Sequence, residues 1–211
     1  LGQKKKKIEL YHADSSEKVF SRLEDTTFVY GAVFGIDDGV GYCDTAIWIA
    51  NKGVYLKSNV ILDDPAYRLA ADWVFYNPNT EEVTATGSYV ELWSRDDSLF
   101  AVGKHAYYDK ARQYFFMRER PTVYLKYPDS SVMVEVISDS LEYDKVEPVA
   151  RAYGDVLINS KDMSSTAGRA VMYPKRNRLE LYEEPVATRR KSKLTGQQMV
   201  ITTSQGSPKR I

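Results

Sequence analysis

Apolar and polar residues alternate along most of the chain in short runs. Val, Ile, Tyr and Thr take every second position in segments such as TVYLKYP, SVMVEVISDSLEYD and RLELYEEPVATRR. A period of two is typical of β-strands with one buried face, because successive side chains point to opposite faces. Turn residues separate the runs, as in NKG at 51–53 and NPNT at 77–80. The pattern therefore predicts an all-β protein.

One segment has helical spacing instead. In SSEKVFSRLEDT, residues 15–26, the apolar residues Val19, Phe20 and Leu23 lie three and four positions apart. This is the best helix candidate in the chain. The segment is short, and a loop that flanks a strand explains it equally well.

The strands belong to a repeat that ends in a small residue followed by aspartate. YHAD, GYCD, LAAD and VISD end at Asp14, Asp44, Asp72 and Asp139. The first three are 30 and 28 residues apart, and the last gap of 67 residues leaves room for a unit in which Lys104 replaces the aspartate. Two strands per unit of this length predict about 12 to 14 strands, and each unit must stack on its neighbours to bury its apolar face.

Each unit has a second fixed position. A tyrosine and a turn follow the aspartate, as in Tyr76-Asn77-Pro78, and the next strand runs into a glycine or proline. These positions are Gly31, Gly87, Pro121, Gly154 and Pro185. We interpret them as the corners of a β-solenoid or of an elongated jelly roll, a role that requires no catalysis.

Composition narrows the function. The 211 residues contain 29 Lys and Arg and 29 Asp and Glu, so the balanced charge argues against a nucleic-acid partner held by phosphate attraction.

No Pro- or Ser-rich linker interrupts the chain, which predicts one domain over 1–211 with the repeats between 8 and 201.

We find no catalytic, cofactor-binding or metal-binding set. Cys43 is the single cysteine, and His12 and His105 lie 93 positions apart. The acid pairs at 37–38, 63–64 and 96–97 fall in predicted turns. Carboxylates at turns can bind Ca²⁺, or catalyse glycoside hydrolysis if two of them face each other across a cleft. Solvated turns are the favoured interpretation, because no ligand-loop spacing is present. The chain is predicted to be non-enzymatic.

The repeat resembles the OstA-like (LptA) superfamily of lipopolysaccharide transport proteins. The unit reads L-x-A-D-x-x-x-Y-[D/N]…A-x-G-x-V, and LTGQQMVI at 194–201 resembles the family's closing pattern. The resemblance implies an elongated, V-shaped, twisted antiparallel jelly roll, the β-taco. It also implies a groove for the acyl chains of lipid A, a periplasmic location and end-to-end linkage through edge strands. The chain departs from the family in its extra repeats and in having Lys104 and His105 where one unit's aspartate belongs.

The alternation then predicts which side chains face the groove. The candidates are Val74, Tyr76, Val90, Leu92, Ala106, Tyr108, Val123, Leu125, Leu141, Tyr143, Val156 and Ile158. For any single one of them core packing is the favoured role, and the set as a whole is compatible with both core and groove wall. Lys104, Arg118 and Arg120 are predicted at the mouth of the groove, against lipid phosphates.

The terminal strands are predicted to have unpaired edges, near Ile8–Leu10 and Met199–Ile201. Lys4–Lys7 and the polar segment SQGSPKR would blunt these edges, or the edges would pair head to tail with further copies or with other OstA-like proteins. The sequence begins at Leu1 without Met, which we take as a hint of a removed export segment.

Three alternatives stay open. The first is a scaffold with a dry, fully packed interior and no ligand. The second is a periplasmic domain of a larger outer-membrane assembly protein. The third is a polysaccharide-cleaving enzyme that uses turn carboxylates.

Overall fold

The chain forms one antiparallel sheet of 19 strands in a computed structural model that describes residues 8–20, 25–36, 39–94, 99–126, 133–204 and 207–210. The predicted all-β class is confirmed. The strands are β1 (Ile8–His12), β2 (Ser15–Val19), β3 (Thr26–Ile36), β4 (Gly39–Ile49), β5 (Gly53–Asp63), β6 (Tyr67–Asn77), β7 (Glu82–Ser94), β8 (Leu99–Asp109), β9 (Tyr114–Arg118), β10 (Thr122–Lys126), β11 (Met133–Ile137), β12 (Ser140–Asp144), β13 (Val149–Asn159), β14 (Ser164–Tyr173), β15 (Arg178–Tyr182), β16 (Val186–Arg189), β17 (Ser192–Thr195), β18 (Gln198–Ser204) and β19 (Ser207–Arg210). A single 3₁₀ turn, Pro174–Arg176, is the other regular element in these ranges.

A line of interrupted pairing crosses the sheet, and we call it the crease. The register shifts between Tyr42 and Thr45, Lys57 and Val60, Ala71 and Trp73, Thr86 and Val90, and Tyr153 and Val156. At the same line five passes of the chain break into two strands each, namely β1/β2, β9/β10, β11/β12, β15/β16 and β17/β18. Counted as passes, the strands of the described residues fit the predicted number.

The crease divides the sheet into two arms. Arm A consists of the described residues within 15–30, 45–57, 73–86, 105–118, 140–153, 169–182 and 198–204. Arm B consists of those within 8–12, 32–43, 60–71, 90–103, 122–137, 156–167 and 186–195. Side chains of both arms line the same interior cavities, so the inner faces oppose each other. The side opposite the crease is the mouth.

Left-handed backbone and carboxylates build the crease. Gly31 and Gly154 have φ values of 58° and 71°, and a Cβ atom on either would clash with the carboxylate of Asp14 or Asp139. β5 has no glycine at the crease, and Ser58 takes the same conformation there with φ 62°. An extra residue in this conformation bends a strand sharply, which explains why the repeated Asp and Gly positions act as corners.

The helix candidate is wrong over residues 15–19, and so is the alternative of a loop. These residues form β2, which pairs with β3 from Ser15 opposite Tyr30 to Val19 opposite Thr26. All five are exposed, so no apolar face is buried as the helical spacing requires. Pairing with β3 satisfies the backbone instead, and Leu23 lies outside the described residues. In the part of the chain that the structure describes, no helical segment has the length and apolar character needed to cross a bilayer.

The structure agrees only in part with the prediction that both terminal strands have unpaired edges. β1 pairs on one side with β3, and the described residues place no strand on its other side. β18 pairs with β15 through Gln198–Thr202, and its far end pairs with β19, where Ser204 lies opposite Ser207. The polar C-terminal segment thus covers the end of β18, beyond Met199–Ile201. Lys4–Lys7 lies outside the described residues.

Candidate functional site: the interior between the arms

All twelve predicted groove residues lie on the inner faces. Arm A contributes Val74, Tyr76, Ala106, Tyr108, Leu141 and Tyr143, and arm B contributes Val90, Leu92, Val123, Leu125, Val156 and Ile158. Tyr108, Leu125 and Tyr143 are half-buried and the other nine are buried. The structure brings the set together, while its role in binding a ligand stays a prediction.

Two lines of paired side chains run along the inner face of arm A. The crease row is nearest the crease and consists of Ala46, Leu56, Val74, Ala85, Ala106, Met117, Leu141, Ala152, Ala170, Leu181 and Met199. The mouth row lies two residues further out and consists of Trp48, Val54, Tyr76, Val83, Tyr108, Phe115, Tyr143, Ala150, Met172, Leu179 and Ile201. Every crease-row side chain is buried, but six of the mouth row are not.

Three cavities follow one another along the mouth row. The N-terminal cavity, of about 360 Å³, is lined by Ile36, Val40, Leu62, Tyr76 and Val83 among others. The C-terminal cavity, of about 350 Å³, is lined by Phe115, Val123, Leu125, Leu141, Ile158 and Met172 among others. A central cavity of about 110 Å³ shares Leu62 and Val83 with the first and Phe115 and Tyr143 with the second. The interior is thus buried at the crease and open towards the mouth, and the central and C-terminal cavities reach crease-row residues such as Ala106 and Leu141.

A contact between the arms narrows the mouth at the central cavity. Tyr67 of arm B and Tyr108 of arm A hold their ring centroids 5.8 Å apart at an angle of 52°. Lys145 of arm A donates from Nζ to the Tyr67 hydroxyl at 3.0 Å, and Nζ lies 5.2 Å from the centre of that ring. We call Tyr67, Tyr108 and Lys145 the waist. Burial raises the pKa of Tyr108 to about 12, so this phenol stays protonated at neutral pH.

Local turns position the waist residues. The Asp64 carboxylate accepts hydrogen bonds at 2.7 Å from the backbone N–H groups of Ala66 and Tyr67, which fixes the turn between β5 and β6. Asp144 accepts from the N–H groups of Val146 and Glu147 in the turn that carries Lys145. Tyr67 and Lys145 are 78 residues apart, and no sequence period links them. Sequence reasoning missed the waist for that reason.

The cations predicted at the mouth lie at the crease, so their predicted position is wrong. Arg120 has a left-handed backbone with φ 62°, and its guanidinium donates to Asp139 at 3.0 Å. Arg118 pairs with His105 and Ser140 in the register nearest the crease, and Lys104 is exposed beside His105. The lysines that line the N-terminal cavity are Lys110 and Lys145, which are half-buried.

The surroundings of the cysteine, of His105 and of Asp63 and Asp64 are those of residues with a structural role. Cys43 is buried on arm B, and burial raises its thiol pKa to about 11, which suppresses the thiolate. His105 lies 3.1 Å from the carboxylate of Glu119 at the crease. Asp63 ends β5 and Asp64 lies in the turn that follows, whereas the acid pairs at 37–38 and 96–97 lie outside the described residues. Among the residues that are described, no three His, Cys, Asp or Glu side chains group as metal ligands do.

The outer face of arm A uses tyrosine differently from the interior. Tyr107 donates to Glu82 at 2.6 Å and Tyr114 donates to Glu142 at 2.6 Å. The bond to Glu82 raises the pKa of Tyr107 to about 12. These pairs fix phenol rings on the half-solvated face, which accounts for part of the tyrosine content.

Comparison with known proteins gives matches among solved structures. No family model and no curated protein matches the chain. A solved structure that does match is described as the crystal structure of LptH, the LptA homologous periplasmic component of the lipopolysaccharide transport device of Pseudomonas aeruginosa. The match covers 84% of this chain and 82% of that chain at 10% identity, with a TM-score of 0.32. LptH is described as homologous to LptA, the family that the repeats resemble. The identity and the TM-score are too low to assign a ligand or a partner to this chain.

Proposed function

We propose that the chain binds lipopolysaccharide or a related glycolipid between its arms and carries the acyl chains in the periplasm towards the outer membrane. The observation that supports this most is the series of cavities along the mouth row. The walls of these cavities are mainly aliphatic and aromatic, as the binding of acyl chains requires. The resemblance of the repeats to the OstA-like superfamily supports the choice of ligand, the periplasmic location and the absence of a catalytic step.

Burial of methylene groups supplies the affinity. Each buried CH₂ of an acyl chain contributes about 0.8 kcal/mol, so a ligand with several chains binds tightly without many polar contacts. The C-terminal cavity suits this interaction because Val123, Leu141 and Met172 approach it from both arms. A headgroup would stay in water at the mouth, near the polar side chains of the turns.

The partly empty interior favours a carrier over a scaffold. A scaffold needs only a core that is filled to native density. The crease row is buried throughout, whereas the mouth row is not: Tyr108, Tyr143 and Met172 keep accessible surface beside a cavity. An interior that is packed on one side and open on the other is expected of a groove.

The terminal edges supply the proposed route for assembly into a bridge. β1 forms one edge of arm B and β17 the other. A second copy, or another OstA-like protein, would add its own terminal strand to either edge by backbone pairing. The proposal therefore includes head-to-tail partners.

A binding assay with a matched pair of substitutions tests the proposal. Ala150 is half-buried on the inner face and lines the C-terminal cavity, whereas Ala70 is half-buried on the outer face of arm B, opposite Ile61. We expect Ala150→Phe to fill the cavity and weaken binding of purified lipopolysaccharide, while Ala70→Phe leaves binding unchanged. Native gels and fluorescence titration report the affinity. If the wild-type protein neither co-purifies with lipopolysaccharide nor shifts when it is added, the proposal is wrong.

A further inference from the structure

The N-terminal and C-terminal cavities have nearly the same volume, about 360 and about 350 Å³, but different walls. The N-terminal cavity is bordered by three tyrosines and by Asp63, Asp64, Lys110, Gln113 and Lys145. The C-terminal cavity is bordered mainly by apolar side chains, and its polar residues are Tyr143, Arg151 and Asn177. The Arg151 guanidinium donates to Glu142 at 3.2 Å, on the outer face. Hydrogen-bonding groups are therefore concentrated at the N-terminal end of the groove.

The charged groups of the N-terminal cavity are balanced and already engaged. Two carboxylates, Asp63 and Asp64, line it together with two ammonium groups, Lys110 and Lys145. Asp64 accepts hydrogen bonds from the backbone of its own turn, and Lys145 donates to the Tyr67 hydroxyl at 3.0 Å. Equal numbers of opposite charges give no reason to select an anion or a cation. Any selectivity of this cavity must come from its neutral hydrogen-bonding groups and from its shape.

Two neutral polar groups of this cavity have hydrogen-bonding capacity to spare. Within the described residues, neither the Tyr108 hydroxyl nor the Gln113 carboxamide forms a side-chain hydrogen bond. Burial raises the pKa of Tyr108 to about 12, so its hydroxyl keeps the proton and can donate as well as accept. Gln113 is exposed at the rim, where its carboxamide offers both donors and an acceptor.

Backbone hydrogen bonds between turns fix these groups in place. Lys110 and Gln113 lie in the turn between β8 and β9. The Lys110 N–H donates to the Glu81 carbonyl at 3.2 Å, and the Gln113 carbonyl accepts from the Lys145 N–H at 3.1 Å. Successive turns of arm A are thus joined at the mouth, so little order has to be gained when a ligand binds.

We infer that the N-terminal cavity binds a neutral sugar ring of the ligand's headgroup, while the acyl chains of the same molecule lie in the C-terminal cavity. The inference rests on the proposed function and adds which end of the groove takes the headgroup. The hydroxyls of a sugar match the free groups of Tyr108 and Gln113, and its apolar C–H faces match the phenol rings. The central cavity, lined by Leu62, Leu92 and Leu99 among others, gives the attached chains apolar surroundings at once.

Two uncharged detergents with the same chain test the sugar subsite. Dodecyl maltoside carries hydroxylated rings, whereas dodecyl polyoxyethylene ether carries a flexible chain with a single hydroxyl donor. Titration calorimetry below the micelle concentrations measures both affinities. We expect the wild-type protein to bind the maltoside at least about fivefold more tightly than the ether, because only the maltoside can form several hydrogen bonds in the N-terminal cavity.

Two substitutions with matched controls separate the headgroup from the chain. Gln113→Met and Tyr108→Phe should each weaken binding of the maltoside by about threefold to tenfold and leave binding of the ether within about twofold. Unchanged binding of the ether also shows that each variant is folded. The controls are Arg112→Met, in the same turn, and Tyr114→Phe, on the outer face. Neither residue lines any of the three cavities, so both controls should bind the two detergents as the wild type does.

A cross-linking experiment reports the direction of the ligand. An alkyl maltoside with a diazirine at the end of its chain should label residues of the C-terminal cavity, such as Val123 and Met172, on irradiation. Peptide mass spectrometry locates the label. Labels at Ile36 or Val40 in the N-terminal cavity would show the reverse direction and overturn the inference.

The outcomes distinguish the sugar subsite from the proposed function. If the wild-type protein binds neither detergent and does not bind lipopolysaccharide, the proposed function fails and the subsite fails with it. If it binds both detergents with equal affinity, the groove binds chains and only the subsite is wrong. Binding of lipopolysaccharide but of neither detergent, or a preference for the maltoside that survives both Gln113→Met and Tyr108→Phe, would also overturn the subsite alone.

Discussion

The crease row and the mouth row of arm A occupy the same strands, two residues apart, yet they have different environments. The crease row contains alanine at five of its eleven positions, and all eleven side chains are buried. The mouth row contains Trp48, Tyr76, Tyr108, Phe115 and Tyr143, and six of its eleven side chains keep accessible surface. Small residues let the arms converge, whereas large residues further out hold them apart.

This difference separates stability from binding within one interior. Near the crease every side chain belongs to the buried hydrophobic core that both arms form, so its burial stabilises the fold. Near the mouth the side chains border cavities, so part of their apolar surface is left for a ligand. A sheet that bends once thus supplies both a core and a groove without a second layer.

The largest expected effect compares two leucines of β5. Leu56 is fully buried in the crease row, and Leu62 is half-buried on arm B beside the N-terminal cavity. Leu56→Ala should lower the free energy of unfolding by about 3 to 4 kcal/mol, because it removes buried atoms and leaves a cavity. Leu62→Ala should cost about 1 kcal/mol, because its surroundings are already open. Urea denaturation measures both, and equal costs would remove the distinction between crease and mouth.

A smaller effect is expected from backbone conformation. Gly154 at the crease has φ 71° and faces the Asp139 carboxylate, whereas Asn177, in the turn after Pro174–Arg176 at the mouth, has φ 49°. Gly154→Ala should destabilise the protein by about 2 to 3 kcal/mol, because an added Cβ is strained and clashes as well. Asn177→Ala should cost about 1 kcal/mol from strain alone. Thermal unfolding of both variants tests this, and a Gly154→Ala protein as stable as wild type would contradict the description of the crease.

The crease was largely predictable from sequence, and the mouth was not. Asp14, Asp72 and Asp139 recur with a glycine about one strand later, and the structure pairs them with Gly31, Gly87 and Gly154. This signal is local and periodic, as are the alternating residues that identify the inner faces. The twelve residues predicted to face inward were therefore found on the correct side of each strand.

Contacts between the arms lack such a signal. Tyr67 and Lys145 meet only because both arms bend towards each other. The prediction for Arg120 failed because of local backbone conformation. The alternation of the sequence continues through this residue as it would in a straight strand, but the left-handed backbone of Arg120 turns its side chain to Asp139. The segment at 15–26 had helical spacing because Val19, Phe20 and Leu23 lie three and four positions apart, but pairing with the edge of β3 makes residues 15–19 a strand. Each miss arises where long-range packing decides the conformation.

The smallest expected effect concerns the charge of the crease. Asp72 accepts hydrogen bonds from the backbone N–H and the hydroxyl of Ser88, at 2.6 and 2.8 Å, and these bonds lower its pKa. A lowered pKa in the folded state means that the contribution to stability is complete above the unfolded value of about 3.9 and is lost as the pH falls through the folded value. Asp72→Asn should therefore lower Tm at pH 7 slightly, and the difference from wild type should shrink as the pH falls below about 4. Glu147→Gln, which removes an exposed carboxylate from a turn at the mouth, is the control for net charge. Melting curves between pH 7 and pH 3 measure the effect, and a difference that does not depend on pH would show that the Asp72 charge contributes nothing to the crease.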